Sequence, residues 1–184
     1  MINYLRSLFA PVPVGFTTYV NTPDSAYSSP YANGSVGDVL SFEFILDESW
    51  NSLLTREGRN TEKVLGLSDL FGRNSIRLGV RKSVDGKSLV AVNYVHDKGV
   101  TTYEALADSI SGKAVKLVTG KVYKCKIFKD INNNWNLQLS DEQIIISTAF
   151  EGKLSISSFI RRVLGVYIEQ CPTTITTFIN IIKR

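Results

Sequence analysis

From Gly37 onward, apolar and polar residues alternate over short runs, each closed by Gly, Asp or Asn. This is the pattern of half-buried strands, whose side chains point to opposite faces in turn. The clearest case is a hairpin. Tyr123, Cys125 and Ile127 alternate with Lys124 and Lys126, and Asp130 to Asn134 supplies polar turn residues. Trp135, Leu137 and Leu139 then alternate with Asn136, Gln138 and Ser140. A slip of one residue would carry lysine or asparagine into the core, so one face of this hairpin must be buried. The same reading predicts strands over 39–46, 63–70, 75–82, 88–95, 100–106, 143–148, 162–169 and 176–182. Asp85-Gly86 and Lys98-Gly99 mark tight turns between them. The segment 48–62 is the one candidate for a helix or long loop, with Trp50 as its anchor. Roughly ten to twelve short strands with turn residues between them predict an all-β, two-sheet antiparallel sandwich of jelly-roll type, and exclude βαβ units.

Residues 1–37 depart from this pattern. Pro11, Pro13, Pro23 and Pro30 and the turn signal Asn33-Gly34 predict an irregular N-terminal arm, leaving 38–184 as the sandwich domain. A short element at 3–9 would either dock on a neighbour or cover one end of the core. The apolar patch Leu5, Leu8, Phe9 is too short for a signal peptide and is broken by Pro11 and Pro13. No run approaches the roughly 18 apolar residues that span a bilayer, so a soluble protein without membrane insertion is expected.

Composition changes this picture little. The 184 residues suit one domain, and 43% hydrophobic with 21% charged residues is ordinary globular usage. The formal charge of +4 is spread along the chain rather than gathered in a basic stripe, which argues against a nucleic-acid partner. Of the two cysteines, Cys125 shares the apolar face of its strand and reads as a core residue. Cys171 precedes Pro172 in a loop, and spacing alone leaves their oxidation state open.

The second half resembles the concanavalin A-like lectin/glucanase superfamily. The likeness lies in the hairpin Gly120-Lys121-Val122-Tyr123 through Trp135-Asn136-Leu137 and the return through Gln143-Ile144-Ile145-Ile146. It continues in Arg162 to Tyr167 and Thr177 to Ile181. The resemblance implies two curved antiparallel sheets with ligands on one face or rim. A partial similarity to alginate-lyase-type polysaccharide lyases is carried by Arg77-Leu78-Gly79-Val80-Arg81, Tyr94-Val95-His96 and Gly165-Val166-Tyr167-Ile168-Glu169-Gln170. In such enzymes Arg or Gln neutralises the uronate carboxylate, while His or Tyr moves protons. This chain departs from that pattern. The Glu between the arginines is missing, Tyr94 stands where Gln is expected, and Val163 and Leu164 replace polar positions. Two residues rather than one separate Tyr167 from Gln170.

His96 is the only histidine, which excludes a multi-histidine metal site. Next to Asp97-Lys98-Gly99 it reads first as a turn residue. The Glu-x-Asp-x-x-Glu strand of glucanases has no counterpart, since Asp47-Glu48 and Asp141-Glu142 lie at a strand end and in a turn. Asp130, Asn132 and Asn134 read as an Asn-rich turn rather than a calcium loop. No metal or cofactor is therefore expected.

The expected function is recognition of a glycan or a surface by a non-catalytic, lectin-like sandwich, with Arg77, Arg81, Asn93, Tyr94, Tyr103 and Tyr167 as ligand-binding candidates. Its expected setting is a structural or decorating role on a virion or other large assembly. Its partners would be glycans or neighbouring subunits, with a homo-oligomer possible. The alternative is a lyase acting on an anionic polysaccharide through Arg77, Arg81, His96 and Tyr167.

Overall fold

The computed structural model describes residues 14–25, 38–69, 73–141, 144–156, 161–169 and 172–182. The chain folds into β1 (Thr17–Asn21), β2 (Val39–Leu46), β3 (Glu62–Asp69), β4 (Ser75–Lys82), β5 (Leu89–Asp97) and β6 (Val100–Ala105). There follow β7 (Lys116–Leu117), β8 (Val122–Lys129), β9 (Trp135–Asp141), β10 (Ile144–Gly152), β11 (Arg161–Leu164) and β12 (Ile175–Ile182). One sheet has the order β1-β12-β2-β8-β9-β10, and the other β11-β3-β4-β5-β6, with β7 joined to β5 beyond the end of β6. Every strand pairing is antiparallel. The expected two-sheet sandwich is what forms.

The core lies between the sheets. In the first sheet, Phe42 pairs with Cys125 and Phe44 with Tyr123 on one side, while Ile181 and Ile179 stand opposite the same two phenylalanines on the other. The rings of Phe44 and Tyr123 stack with centroids 5.6 Å apart. Ile76, Leu78 and Val80 of β4 face them from the second sheet, all fully buried. Each such side chain contributes roughly 1.5–3 kcal/mol relative to exposure. The predicted hairpin is β8–β9, with Tyr123, Cys125, Ile127, Trp135, Leu137 and Leu139 all buried. Burial pushes the Cys125 thiol well above its ordinary range, and it forms no disulfide. Cys171 lies outside the described residues.

Local chemistry sets the connections. Lys98 and Gly99 both take positive φ (50° and 82°), the two-residue hairpin geometry between β5 and β6. Asp130 accepts from the amides of Asn132 and Asn134, both at 2.9 Å, so its carboxylate closes the β8–β9 turn. The segment after β2 is a single 3₁₀ turn (Glu48–Asn51) running into a four-residue helix, α1 (Ser52–Thr55). Asp47 caps it by accepting from the Ser49 amide. Trp50 anchors the segment as expected: it is fully buried and its Nε1 donates to Thr176 O and Thr177 Oγ1, each at 3.1 Å.

The short strand β7 has no counterpart in the sequence reading, β10 runs on to Gly152, and two further segments differ. The strand expected over 162–169 spans only Arg161–Leu164, after which Tyr167 alone rejoins the sheet opposite Lys63. Inside the segment read as an arm, Thr17–Asn21 is an edge strand paired to β12. Residues 1–13 and 26–37 of that arm, including 3–9, lie outside the described residues. Among the described residues no helix is long and apolar enough to cross a membrane.

Candidate functional site

The outward face of the second sheet is built by the residues that alternate with its core positions. On β4, Arg77, Gly79 and Arg81 point away from the core because Ile76, Leu78 and Val80 point into it. Cross-strand register fixes their neighbours. Gly66 on β3, Arg77 on β4, Tyr94 on β5 and Tyr103 on β6 form one row across the sheet. Lys63, Gly79, Val92 and Ala105 form the next, which Tyr167 extends beyond Lys63. Ser68, Ser75, His96 and Thr101 form the row on the other side of Arg77. These three rows carry no carboxylate.

The cations of this face reach across strands to tyrosine rings. Lys63 Nζ lies 4.7 Å from the ring centroid of Tyr167 and 5.0 Å from that of Tyr94. Since Tyr94 is two strands away, the lysine crosses β4 to reach it. Both separations suit cation–π attraction. Arg81 likewise lies 5.6 Å from the Tyr103 centroid. Arg77 is buried and donates through Nη2 to Gly165 O, tying β4 to the chain beyond β11. Gly66 makes that crossing possible: a Cβ there would sit 2.5 Å from Arg77 Cγ.

Burial pushes the Lys63 ammonium below its ordinary range, and the charge of Arg77 adds to this. Glu62 and Glu169 act in the opposite direction. Burial also lowers Arg81, helped by Arg59. A desolvated ammonium between two π-faces attracts anions strongly, because little water competes for its protons.

The candidates named from sequence therefore separate. Arg77, Tyr94 and Tyr167 gather around Lys63, and Arg81 stacks beside Tyr103. His96 is one row away, where Nδ1 meets Thr101 Oγ1 at 2.7 Å. Asn93 is on the opposite face. It pairs with Leu78 in register, is 4% exposed, and donates to Glu151 of β10, clasping the edge strand of the first sheet to β5 of the second.

Lys63 escaped the sequence reading because β3 is bulged between Lys63 and Leu65. A strict alternation from Lys63 puts it on the side of Leu65 and Leu67, both buried, whereas the extra residue turns it outward. The available signal was Gly66, a small residue on the outward row beside Arg77.

The Asn93–Glu151 clasp titrates. Burial, then the neighbouring Glu104, raises the Glu151 carboxyl above its ordinary 4.5. A carboxyl raised on folding favours the folded state when protonated. That contribution is complete below the unfolded value and is lost as pH rises to the folded value. Glu151→Gln is therefore expected to melt higher than the parent protein at neutral pH, with the two converging below about pH 4. Thermal unfolding across pH checks this, and a variant less stable at neutral pH would contradict it.

No protein-family model and no curated protein matches the sequence. Solved structures do resemble the fold. A functionally unknown protein from Saccharomyces cerevisiae superposes with a TM-score of 0.56 at 8% identity, over 91% of this chain and 86% of that one. An alginate lyase gives 0.56 at 10% identity, over 91% and 79%. The binding domain of botulinum neurotoxin serotype D gives 0.50 at 11%, over 93% of this chain but 41% of that one. At such identities the likeness is one of architecture, and what it establishes for this chain is a two-sheet antiparallel β-sandwich of the kind shared by polysaccharide lyases and a toxin binding domain.

Proposed function

We propose that the outward face of the second sheet binds an anionic polysaccharide through its uronate carboxylates. The observation that carries this is Lys63, held between the rings of Tyr94 and Tyr167, with Arg77 on the neighbouring strand and Arg81 beside Tyr103 on the same face. Tyrosine faces pack against sugar rings, and the cations take the carboxylates. One solved form of the similar alginate lyase has a lysine and a tyrosine replaced by alanine and holds an alginate tetrasaccharide. Mounted in many copies on a virion or other large assembly, the setting expected from the sequence, such a face would gain strength by multivalency.

Titration calorimetry with oligouronates and with neutral oligoglucans of equal length tests the reading. The oligouronate should bind, more weakly as salt rises, and the neutral chain should not. Lys63→Met should weaken binding about 10- to 100-fold, the worth of one charge-assisted hydrogen bond. Equal affinity for both oligomers, or an indifferent Lys63→Met variant, would overturn it.

The lowered ammonium of Lys63 also favours a second reading, eliminative cleavage. Lys63 Nζ would take the proton at C5 of a uronate whose carboxylate is neutralised by Arg77. The C4–O4 bond would then break, with Tyr167 protonating the departing oxygen and a C4–C5 double bond left in the product. Ultraviolet absorbance of unsaturated uronate, present with the parent and lost in Tyr167→Phe, would distinguish cleavage from binding.

A further inference from the structure

A second cationic site lies off the outward face, where the loop after α1 meets the end of β4. Leu53, Arg56, Gly58, Arg59, Asn60, Glu62 and Lys82 line a shallow recess that is open to solvent. Three cations stand against one carboxylate there. The carboxylate is already engaged, since Glu62 accepts from Arg56 Nη1 at 2.7 Å and from the Glu169 amide at 2.7 Å. Arg56 Nη2 is buried with no hydrogen-bond partner among the described residues, so half of that guanidinium is uncompensated there. Arg59 and Lys82 have no carboxylate partner among the described residues. Both bond only to backbone oxygens: Lys82 Nζ donates to Arg56 O, and Arg59 Nε to Lys82 O at 3.4 Å. The backbone adds donors. Gly58 takes φ +76°, and the amides of residues 58–61 donate to no backbone acceptor among the described residues. Loops that turn successive N–H groups toward one point form anion-binding concavities. Like charges crowded without counterions are costly to hold together, and an anion removes that cost.

We propose that this recess binds a divalent oxyanion, a phosphate or sulfate group, held by Arg59, Lys82 and the 58–60 backbone, with Arg56 behind them. The dianion matches the surplus of two positive charges, which a single carboxylate would leave half neutralised. Two sources share this chemistry: the free ion, and a phosphate ester on a sugar.

Phosphorus NMR and calorimetry with inorganic phosphate, in chloride buffers of matched ionic strength, test the site on the intact protein. The parent should bind phosphate saturably, and Arg59→Ala and Lys82→Met should each weaken it about tenfold or more. Arg59 is exposed, so that variant carries the test even if Lys82→Met folds poorly. Glucose 6-phosphate and glucose 1-phosphate form the ester arm. Esters binding at least as tightly as the free ion would support a glycan source, and preference for the free ion would support a small-anion site. Absence of saturable phosphate binding, or affinity unchanged in Arg59→Ala, would overturn the proposal. Lys63→Met should leave phosphate binding intact, so this result stands or falls apart from that of the outward face.

Discussion

Glu62→Ala is expected to destabilise the protein by about 3–5 kcal/mol, as removing one partner of a buried ion pair does. The Glu62 side chain is 1% exposed and that of Arg56 13%. Burial raises the Glu62 carboxyl above its ordinary range, and the Glu169 amide and Arg56 offset only part of that rise. Its two oxygens join three segments: the loop after α1 through Arg56, β3 itself, and the chain beyond β11 through Glu169. Alanine would strand the Arg56 guanidinium and the Glu169 amide together, and Arg56 Nη2 is buried without a hydrogen-bond partner among the described residues. At about 2–4 °C per kcal/mol for a domain of this size, the thermal midpoint should fall by roughly 10 °C. Glu62→Gln retains an acceptor and the side-chain volume, so its loss should be smaller. Urea unfolding of both variants measures the difference, and equal midpoints for parent and Glu62→Ala would refute the ion-pair account.

Gly66→Ala should cost at least about 3 kcal/mol, at or beyond the upper end for overpacked sites. A Cβ at Gly66 would lie 2.3 Å from Ile76 O, 2.6 Å from Arg77 Cα and 2.5 Å from Arg77 Cγ. Two of these atoms are backbone of the neighbouring strand, so relief requires β3 and β4 to part. The same methyl would lift Arg77 from its path to Gly165 O, and oligouronate binding should fall with stability. Gly79→Ala is the informative contrast. Its nearest obstacle, Thr61 Cγ2 at 2.6 Å, is the end of a side chain, and the nearest backbone atom, Glu62 O, is 3.2 Å away. A smaller loss is expected there, read from the same denaturant curves. Matching losses at Gly66 and Gly79 would show that backbone contact is not the cause.

The sandwich was legible because burial follows period two wherever strands are regular. The β8–β9 hairpin, Ser75–Lys82 on β4 and the β5–β6 turn at Lys98-Gly99 all follow from alternation and turn chemistry. Where the alternation breaks, the reading weakens. The bulge in β3 hid Lys63, and Asn93 was grouped with Tyr94 although neighbours on a strand face opposite ways. The end of β11 at Leu164 depended on contacts that no local pattern encodes, namely Arg77 reaching Gly165 O and Tyr167 rejoining Lys63. The recess at Arg56, Arg59 and Lys82 joins residues from two elements, and their proximity exists only once β4 returns beside the loop.

The irregular step in β3 also bears on how such a protein could diversify. Because one additional residue decides which way the first part of that strand presents its side chains, gain or loss of a single codon there would exchange solvent chemistry for interior chemistry without altering any other amino acid. Among distant kin of this architecture, insertions and deletions in that strand are therefore as informative about ligand preference as substitutions, and alignments that close such gaps silently would pair residues with opposite destinies.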